Sequence, residues 1–374
     1  PQALVDYAFF GAAGAEFPEE VERVAKEGIV AFKTFLHEPP EGRDEEFRGL
    51  TMANDGEILD GFRAVARTGL ILTVHAENND IIQRLIRQFR AEGKTSFEYH
   101  YKSRPPITEI ETVAKLILFA KETGTRVSFA HISTPEAAEL VKRAKLDGMD
   151  VYLETCPHYL FLTEEAIDKY GPYAKGNPPL RSRESMEKLW KYVVDGSVDF
   201  IGSDHGPFLL LGDQEGTVVA VDFIGSDHGP FLVSEKEKGM KDIFTAAAGP
   251  ACIEMTLPLM LTAVRDGKLS MRRMVQLLCE NPARIFGLWP RKGAIRTGGD
   301  ADFVIVDMEN EYTVNNKEFV THSRDTSPMY NGFRLVGRPV HTIVRGRIVM
   351  RDRKIDDSAE GWGKVMRPEW KLRG

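Results

Sequence analysis

The chain has 374 residues, 42% of them hydrophobic, and a formal net charge of −7. This is enough apolar sequence for one large α/β domain or for two domains. The acidic balance and the lack of a long basic run argue against a nucleic-acid partner. No apolar stretch approaches the roughly 18 residues that cross a bilayer, so no membrane association is expected.

Six short β-rich runs alternate with amphipathic helical stretches. The predicted strands span 5–10, 29–36, 70–76, 126–132, 150–154 and 198–202. Such alternation predicts a parallel sheet covered by helices, the arrangement of a (β/α)8 TIM-type barrel. A barrel needs about eight strands. Because the chain begins at Pro1 without an initiator Met, we expect that the first two strands belong to a missing N-terminal part.

Two of the helices between the strands show a clear pattern. In 108–123, apolar residues recur on one face, and Thr108 and Glu111 have the spacing of a capping box. In 183–195 the apolar residues follow the helical period of about 3.6. They are Met186, Leu189, Trp190, Val193 and Val194.

After Lys292 the pattern changes to short strands with Gly and Asp turns. The segments GAIRTGGDADFVIVD (293–307) and GRPVHTIVRGRIVMRDRKI (337–355) alternate apolar and polar residues, which predicts antiparallel strands. We therefore divide the chain into a partial barrel (1–291), a small β domain that is part of a β-sandwich (292–355) and a solvated C-terminal extension (356–374).

Four predicted strands end in a side chain that could bind a metal ion. These side chains are Lys33, His75, His131 and Asp204. One such residue alone is most often an ordinary polar side chain, but four on parallel strands would meet at one rim of a barrel, where catalytic groups lie. Imidazole and carboxylate suit Zn, Fe, Ni or Mn. A lysine ammonium has no lone pair to donate, whereas a lysine carbamate could bridge two cations.

Several motifs resemble those of the cyclic amidohydrolases, the family of the dihydropyrimidinases (hydantoinases), allantoinases and dihydroorotases. The resemblance extends over nearly the whole chain, from the barrel strands to the return into the β domain. It is carried by FKTF (32–35), VHAEN (74–78), AHIS (130–133), ETCPHYL (154–160), NPPLR (177–181), GSDH (202–205), NPARIFGL (281–288) and GDADFVIVD (299–307).

The resemblance implies a role for each matching residue. Lys33 would be a carbamate that bridges two divalent metal ions, with zinc the expected metal. His75 and His131 would bind one ion, and the Asp of GSDH would bind the other and act as general base. Asn177 and the backbone at Ala247 would hold the ring amide of a small cyclic substrate. The resemblance also implies a homo-oligomer.

Two departures from the family pattern concern the site. No His-x-His occurs in the chain, although the family carries this ligand pair on its first strand. We therefore expect this chain alone to build part of the site and to be catalytically impaired. Hydantoinases also carry a tyrosine five residues after the lysine, where this chain has Glu38, which argues against a plain hydantoinase.

The substrate remains open between alternatives. Arg104-Pro-Pro, CPHYL and GPYAK (171–175) resemble allantoinases, whereas NPPLR resembles dihydroorotases. We favour a hydantoin- or ureide-type ring such as allantoin, with dihydroorotate as the alternative. A catalytically incomplete relative that serves as a binding or scaffolding protein is the alternative from another class. The cysteines, Cys156, Cys252 and Cys279, lack zinc or disulfide spacing, so a cytoplasmic location is expected.

The sequence VDFIGSDHGPFL occurs twice, at 198–209 and at 221–232. One barrel position admits one strand and one Asp, so the surplus lies at about 210–232. Because the first copy follows helix 183–195 after a short turn, Asp204 is preferred as the working residue. Asp227, in the second copy, remains the alternative.

Overall fold

The computed structural model describes residues 3–37, 47–204, 232–250, 253–321 and 324–369. Its main sheet has six strands, and neighbouring strands in the sheet are neighbours along the chain. All five pairings are parallel. The strands are β1 (Phe10–Ala12), β2 (Ala31–Phe35), β3 (Ile71–His75), β4 (Arg126–Phe129), β5 (Val151–Thr155) and β6 (Phe200–Ile201). The predicted α/β class with a parallel sheet is therefore confirmed.

Helices join the strands, as crossovers between parallel strands require. The α-helices before β6 are Val21–Lys26, Asp55–Thr68, Asn79–Ala91, Tyr99–Ser103, Pro106–Thr123, Pro135–Leu146, Pro157–Phe161, Glu165–Tyr170 and Arg183–Val194. Those after β6 are Val233–Glu237, Ile253–Arg265, Met271–Val275 and Asn281–Ile285, with a π-helical turn at Gln276–Glu280. Short 3-10 turns occur at Pro18–Glu20, Gly171–Ala174, Lys238–Met240, Ile243–Thr245, Asn316–Glu318, Arg324–Thr326, Pro328–Tyr330 and Asp357–Ala359.

The helix predicted at 108–123 begins earlier, at Pro106. The prediction of a capping box formed by Thr108 and Glu111 is wrong. The N-cap residue Pro105 makes no side-chain capping bond, and proline at the first helical position sets the backbone angle instead. The Thr108 hydroxyl donates to the carbonyl of Pro105, and the Glu111 carboxylate accepts from Asn78. In helix Arg183–Val194, four of the five predicted core residues are buried, but Val194 is exposed.

The strand predicted at 5–10 is also wrong, because β1 begins at Phe10. Tyr7 instead forms a parallel bridge with Val365, and the Gly363 N–H donates to the carbonyl of Ala3. Met366, in the segment predicted to be a solvated extension, is buried. Residues 3–9 and part of the C-terminal segment therefore pack against each other.

The four-stranded sheet after Lys292 confirms the predicted antiparallel strands. It comprises β7 (Phe303–Thr313), β8 (Arg334–Val344), β9 (Arg347–Arg351) and β10 (Lys354–Ile355), in the order β10-β9-β8-β7. Helix Ile253–Arg265 lies against it, and the Val336 N–H donates to the Thr262 hydroxyl at 3.0 Å. Among the described residues, no helix is long and apolar enough to cross a membrane.

β6 is formed by the first copy of the doubled segment. The Asp199 N–H donates to the carbonyl of Leu153, and the Gly202 N–H donates to that of Thr155, so this copy continues the ladder from β5. Asp227 and the rest of the second copy up to residue 231 lie outside the described residues.

Candidate active site

The predicted ligands lie toward the C-terminal ends of strands in one parallel sheet. His75 is the last residue of β3 and pairs in register with Phe35, while Lys33 lies two residues earlier on β2. His131 follows β4, and Asp204 follows β6. Because all pairings in this sheet are parallel, these residues approach one edge.

His75 and His131 form the closest pair in the site. The Nδ1 atom of His75 lies 3.0 Å from the Nε2 atom of His131, and the ring centroids are 4.7 Å apart. Burial holds the pKa of both imidazoles well below the usual range. The charge of Lys33 lowers both pKa values further. Both rings are therefore neutral at pH 7, the form in which an imidazole binds a metal.

The histidine pair fits a metal ion. Two nitrogens bound tetrahedrally to one zinc at about 2.0–2.1 Å are about 3.3–3.4 Å apart, and this pair, separated by 3.0 Å, is within about 0.4 Å of that spacing. The Nδ1 atom of His131 is buried and has no hydrogen-bond partner among the described residues. His131 has φ 43° and Asp204 has φ 52°. This left-handed conformation is uncommon outside glycine and clusters at functional sites.

Asp204 approaches a different histidine. Its Oδ2 atom lies 4.0 Å from Nε2 of the buried His158, and burial lowers the pKa of His158 to about 3. Among the described residues, Asp204 does not complete a group with His75 and His131 in which all ligand atoms lie within 4.8 Å of one another. In these side-chain positions, the three residues therefore do not surround one common ion.

A contact of His75 with Glu77, and one of Glu77 with Arg104, were not predicted from the sequence. The Oε2 atom of Glu77 lies 2.9 Å from the Nε2 atom of His75. The Arg104 guanidinium donates to the same oxygen. Glu77 is 3% exposed. The sequence held a signal for each residue, since Glu77 belongs to VHAEN and Arg104 opens Arg-Pro-Pro, but neither motif shows that they meet.

The predicted substrate-binding residues lie on two connected segments. The side-chain oxygen of Asn177 is buried without a hydrogen-bond partner among the described residues. The carbonyl of Ala247 accepts a bond of 3.0 Å from the Lys236 ammonium. The Gly249 N–H donates to the carbonyl of Lys175 at 2.9 Å, which joins the two segments.

Two buried lysines that sequence reasoning missed hold the second of these segments. Lys175 donates to the carbonyls of Ile243 and Ala246, and Lys236 donates to that of Gly249 in addition to Ala247. Burial lowers the pKa of both lysines, and that of Lys236 falls to about 7. The backbone around Ala247 is therefore fixed by side chains from outside it.

A group of three acidic residues away from the histidine pair is already neutralised by cations. Asp6, Asp300 and Asp302 bring one oxygen each within 4.8 Å of one another, but the Lys292 ammonium contacts all three carboxylates. Arg345 also contacts Asp6. This cluster is a network of ion pairs.

The model of the amidohydrolase family matches residues 12–349. The chain belongs to the amidohydrolase family. Relatives named hydantoinase and allantoinase match over most of the chain. Together with the family model, they confirm the resemblance of its motifs to the cyclic amidohydrolases.

Two curated relatives of this amidohydrolase show the extent of the similarity. The L-hydantoinase of Paenarthrobacter aurescens is 34% identical over 346 residues, which are 92% of this chain and 69% of the relative. The allantoinase of Desulfitobacterium hafniense (strain DSM 10664 / DCB-2) is 33% identical over 367 residues, which are 98% of this chain and 74% of the relative.

Solved structures extend the similarity to the fold of the amidohydrolase. The L-hydantoinase (dihydropyrimidinase) from Arthrobacter aurescens superposes with a TM-score of 0.85 at 32% identity, covering 98% of this chain and 74% of that chain. The D-hydantoinase (dihydropyrimidinase) from Thermus sp. gives a TM-score of 0.84 at 28% identity, with the same coverage of 98% and 74%.

Proposed function

We propose that this amidohydrolase hydrolyses the C–N bond of a cyclic amide in a hydantoin- or ureide-type ring such as allantoin, in a metal-dependent reaction. The observation that carries the proposal is the convergence of Lys33, His75, His131 and Asp204 on one edge of the parallel sheet. The 3.0 Å approach of the two histidines supports metal binding within this group.

Each of the four candidate residues has a separate role in the proposed reaction. His75 and His131 would hold one divalent ion, Asp204 a second, and Lys33 both as a carbamate, with zinc the expected metal. When bound, such a pair of ions supplies a hydroxide near neutral pH and polarises the carbonyl under attack. Asp204 accepts the proton of the attacking water and returns it to the leaving ring nitrogen.

Asn177 and the backbone at Ala247 orient the ring amide. The Tyr159 hydroxyl donates to the carbonyl of Pro178 at 2.7 Å and so anchors the segment that carries Asn177. Lys236 anchors the segment that carries Ala247. An orienting group on a fixed backbone contributes to rate, because the substrate is then held in the geometry of attack.

The names of the relatives support the choice of ring. Those reported above are a hydantoinase and an allantoinase. Glu38, outside the described residues, replaces the tyrosine of hydantoinases, which favours allantoin. Dihydroorotate remains the alternative substrate, and a homo-oligomer in the cytoplasm remains our prediction for assembly and location.

The test compares two aspartates at opposite ends of β6. Asp204→Asn should lower kcat for ring opening by at least about 100-fold, the contribution of general acid–base catalysis. Asp199→Asn is the matched control, since Asp199 pairs with Lys145 and accepts from the Leu153 N–H at the other end of the strand. It should lower stability and leave the activity of the folded fraction intact.

Allantoin, hydantoin and dihydroorotate should be assayed in parallel with both variants. Ring opening of allantoin that survives in Asp204→Asn would exclude the proposed general base. The impairment expected from the absence of a His-x-His pair would lower the rate for all three rings. A folded wild-type protein that binds metal and one of the three rings but opens none of them would favour the binding or scaffolding function.

A further inference from the structure

A chain of contacts leads from the partly buried Arg104 through the buried Glu77 to the buried His75. The Arg104 guanidinium donates to Oε2 of Glu77, and the same oxygen lies 2.9 Å from Nε2 of His75. Side-chain exposure is 15% for Arg104, 1% for Glu77 and 8% for His75. Contacts this well shielded are screened little by solvent, so they constrain the imidazole strongly.

The contact with Glu77 determines which nitrogen of His75 carries the proton. A carboxylate only accepts hydrogen bonds, so Nε2 of the neutral imidazole is the donor and Nδ1 keeps its lone pair. That lone pair faces Nε2 of His131 at 3.0 Å. Without the carboxylate, the imidazole could place its proton on Nδ1 and direct an N–H into the position where a cation would bind.

Arg181 in turn connects Arg104 with Ser133, which follows β4. Arg181 donates to the carbonyl of Arg104 and, through Nε, to the Ser133 hydroxyl at 2.9 Å. The Ser133 hydroxyl and N–H both donate to the buried Glu109 carboxylate. Ser133 lies two residues after His131, so a single network connects the imidazole of His75 with the backbone that follows His131.

We propose that Glu77, held by Arg104, is a positioning residue that keeps His75 in the tautomer with Nδ1 free to bind a cation shared with His131. This role rests on the proposed function only for the identity of the cation site. The arrangement of the proton on His75 is a property of the metal-free protein.

The first experiment therefore needs no metal. In the metal-free wild-type protein with 15N-labelled histidine, the ring signals of His75 should report a protonated Nε2 and an unprotonated Nδ1. Assignment follows from the loss of those signals in His75→Gln. A wild-type His75 with its proton on Nδ1, or with both tautomers equally populated, would overturn the proposal.

The second experiment measures the affinity for Co²⁺ alone by visible absorption and chelator competition. Glu77→Gln keeps the shape of the side chain but removes its charge, and it should weaken Co²⁺ binding about 10- to 100-fold. Glu77→Asp should recover part of the loss, because it restores the carboxylate. Glu111→Gln is the matched control, since among the described residues the Glu111 carboxylate accepts from Asn78 and Thr112 rather than contacting His75.

The outcomes separate the two proposals. Unchanged Co²⁺ affinity in a folded Glu77→Gln protein overturns the positioning role, and so does an equal loss in Glu111→Gln. Wild-type protein that shows the Nε2-protonated His75 but binds no Co²⁺ supports the assignment of the His75 tautomer to Glu77, but it overturns the shared cation site and with it the proposed metal-dependent function.

Discussion

Lys292 is the centre of a buried ion cluster that joins the N-terminal segment to the C-terminal sheet. Its ammonium lies 2.6 Å from Asp6 and 3.1 Å from Asp300, and it also contacts Asp302. Lys292 is 4% exposed and Asp6 is 2% exposed. We predict that Lys292→Met destabilises the protein strongly, because the methionine fills the space but leaves the carboxylates facing one another without their shared cation.

The magnitude follows from the burial of the cluster. Removing one partner of a buried ion pair costs about 3–5 kcal/mol. Asp6 keeps its contact with Arg345, so the loss should lie toward the lower end of that range. The free energy of unfolding should be measured by urea titration followed by circular dichroism.

Lys188→Met is the matched control for the same change of side chain. Lys188 pairs with Glu184 at 2.6 Å on a helix surface, where the side chains are 48% and 77% exposed. Exposed pairs of this kind contribute little, so the control should unfold nearly like the wild type. A loss below about 1 kcal/mol in Lys292→Met would refute the view that this buried cluster depends on its cation.

Three further predictions concern the site and its surroundings. Lys33→Ala should abolish binding of a pair of metal ions, measured by elemental analysis, and a short carboxylic acid should partly restore activity; full activity without the acid would exclude the carbamate. Asp227→Asn should leave activity unchanged and alter the free energy of unfolding by less than about 0.5 kcal/mol, as for ordinary surface changes; a large loss of activity would transfer the role of general base to the second copy. Burial lowers the pKa of Lys236 from 10.5 to about 7, so the unfolded chain binds more protons between these values and stability should rise with pH across that window; Lys236→Met should remove this part of the rise, and an unchanged pH profile of unfolding would contradict the shift.

The features of the fold that could be predicted are those that depend on local pattern. The parallel strands from Ala31–Phe35 onward are apolar runs bounded by turns, and such runs predict buried strands. Residues 3–9 were misassigned because their partner, the segment around Val365, lies at the other end of the chain. The start of helix Pro106–Thr123 was misassigned because a proline pair outweighed the spacing of Thr108 and Glu111.

The same distinction applies to the site. Lys33, His75, His131 and Asp204 could be predicted as candidate ligands because each comes at or near the end of a strand. The roles of Glu77 and Arg104 depend on a contact between residues 27 positions apart, and those of Lys175 and Lys236 depend on donation to distant carbonyls. Periodicity and motif spacing carry no information about such contacts.

Metal removal and return test the central claim most directly. The purified protein should be stripped with a chelator, assayed for opening of allantoin, hydantoin and dihydroorotate, and assayed again after addition of Zn²⁺. The account predicts that stripping abolishes ring opening, that Zn²⁺ restores it in the wild type with allantoin or hydantoin preferred, and that Zn²⁺ does not restore it in His75→Gln. Ring opening that persists in the fully stripped protein would contradict the account.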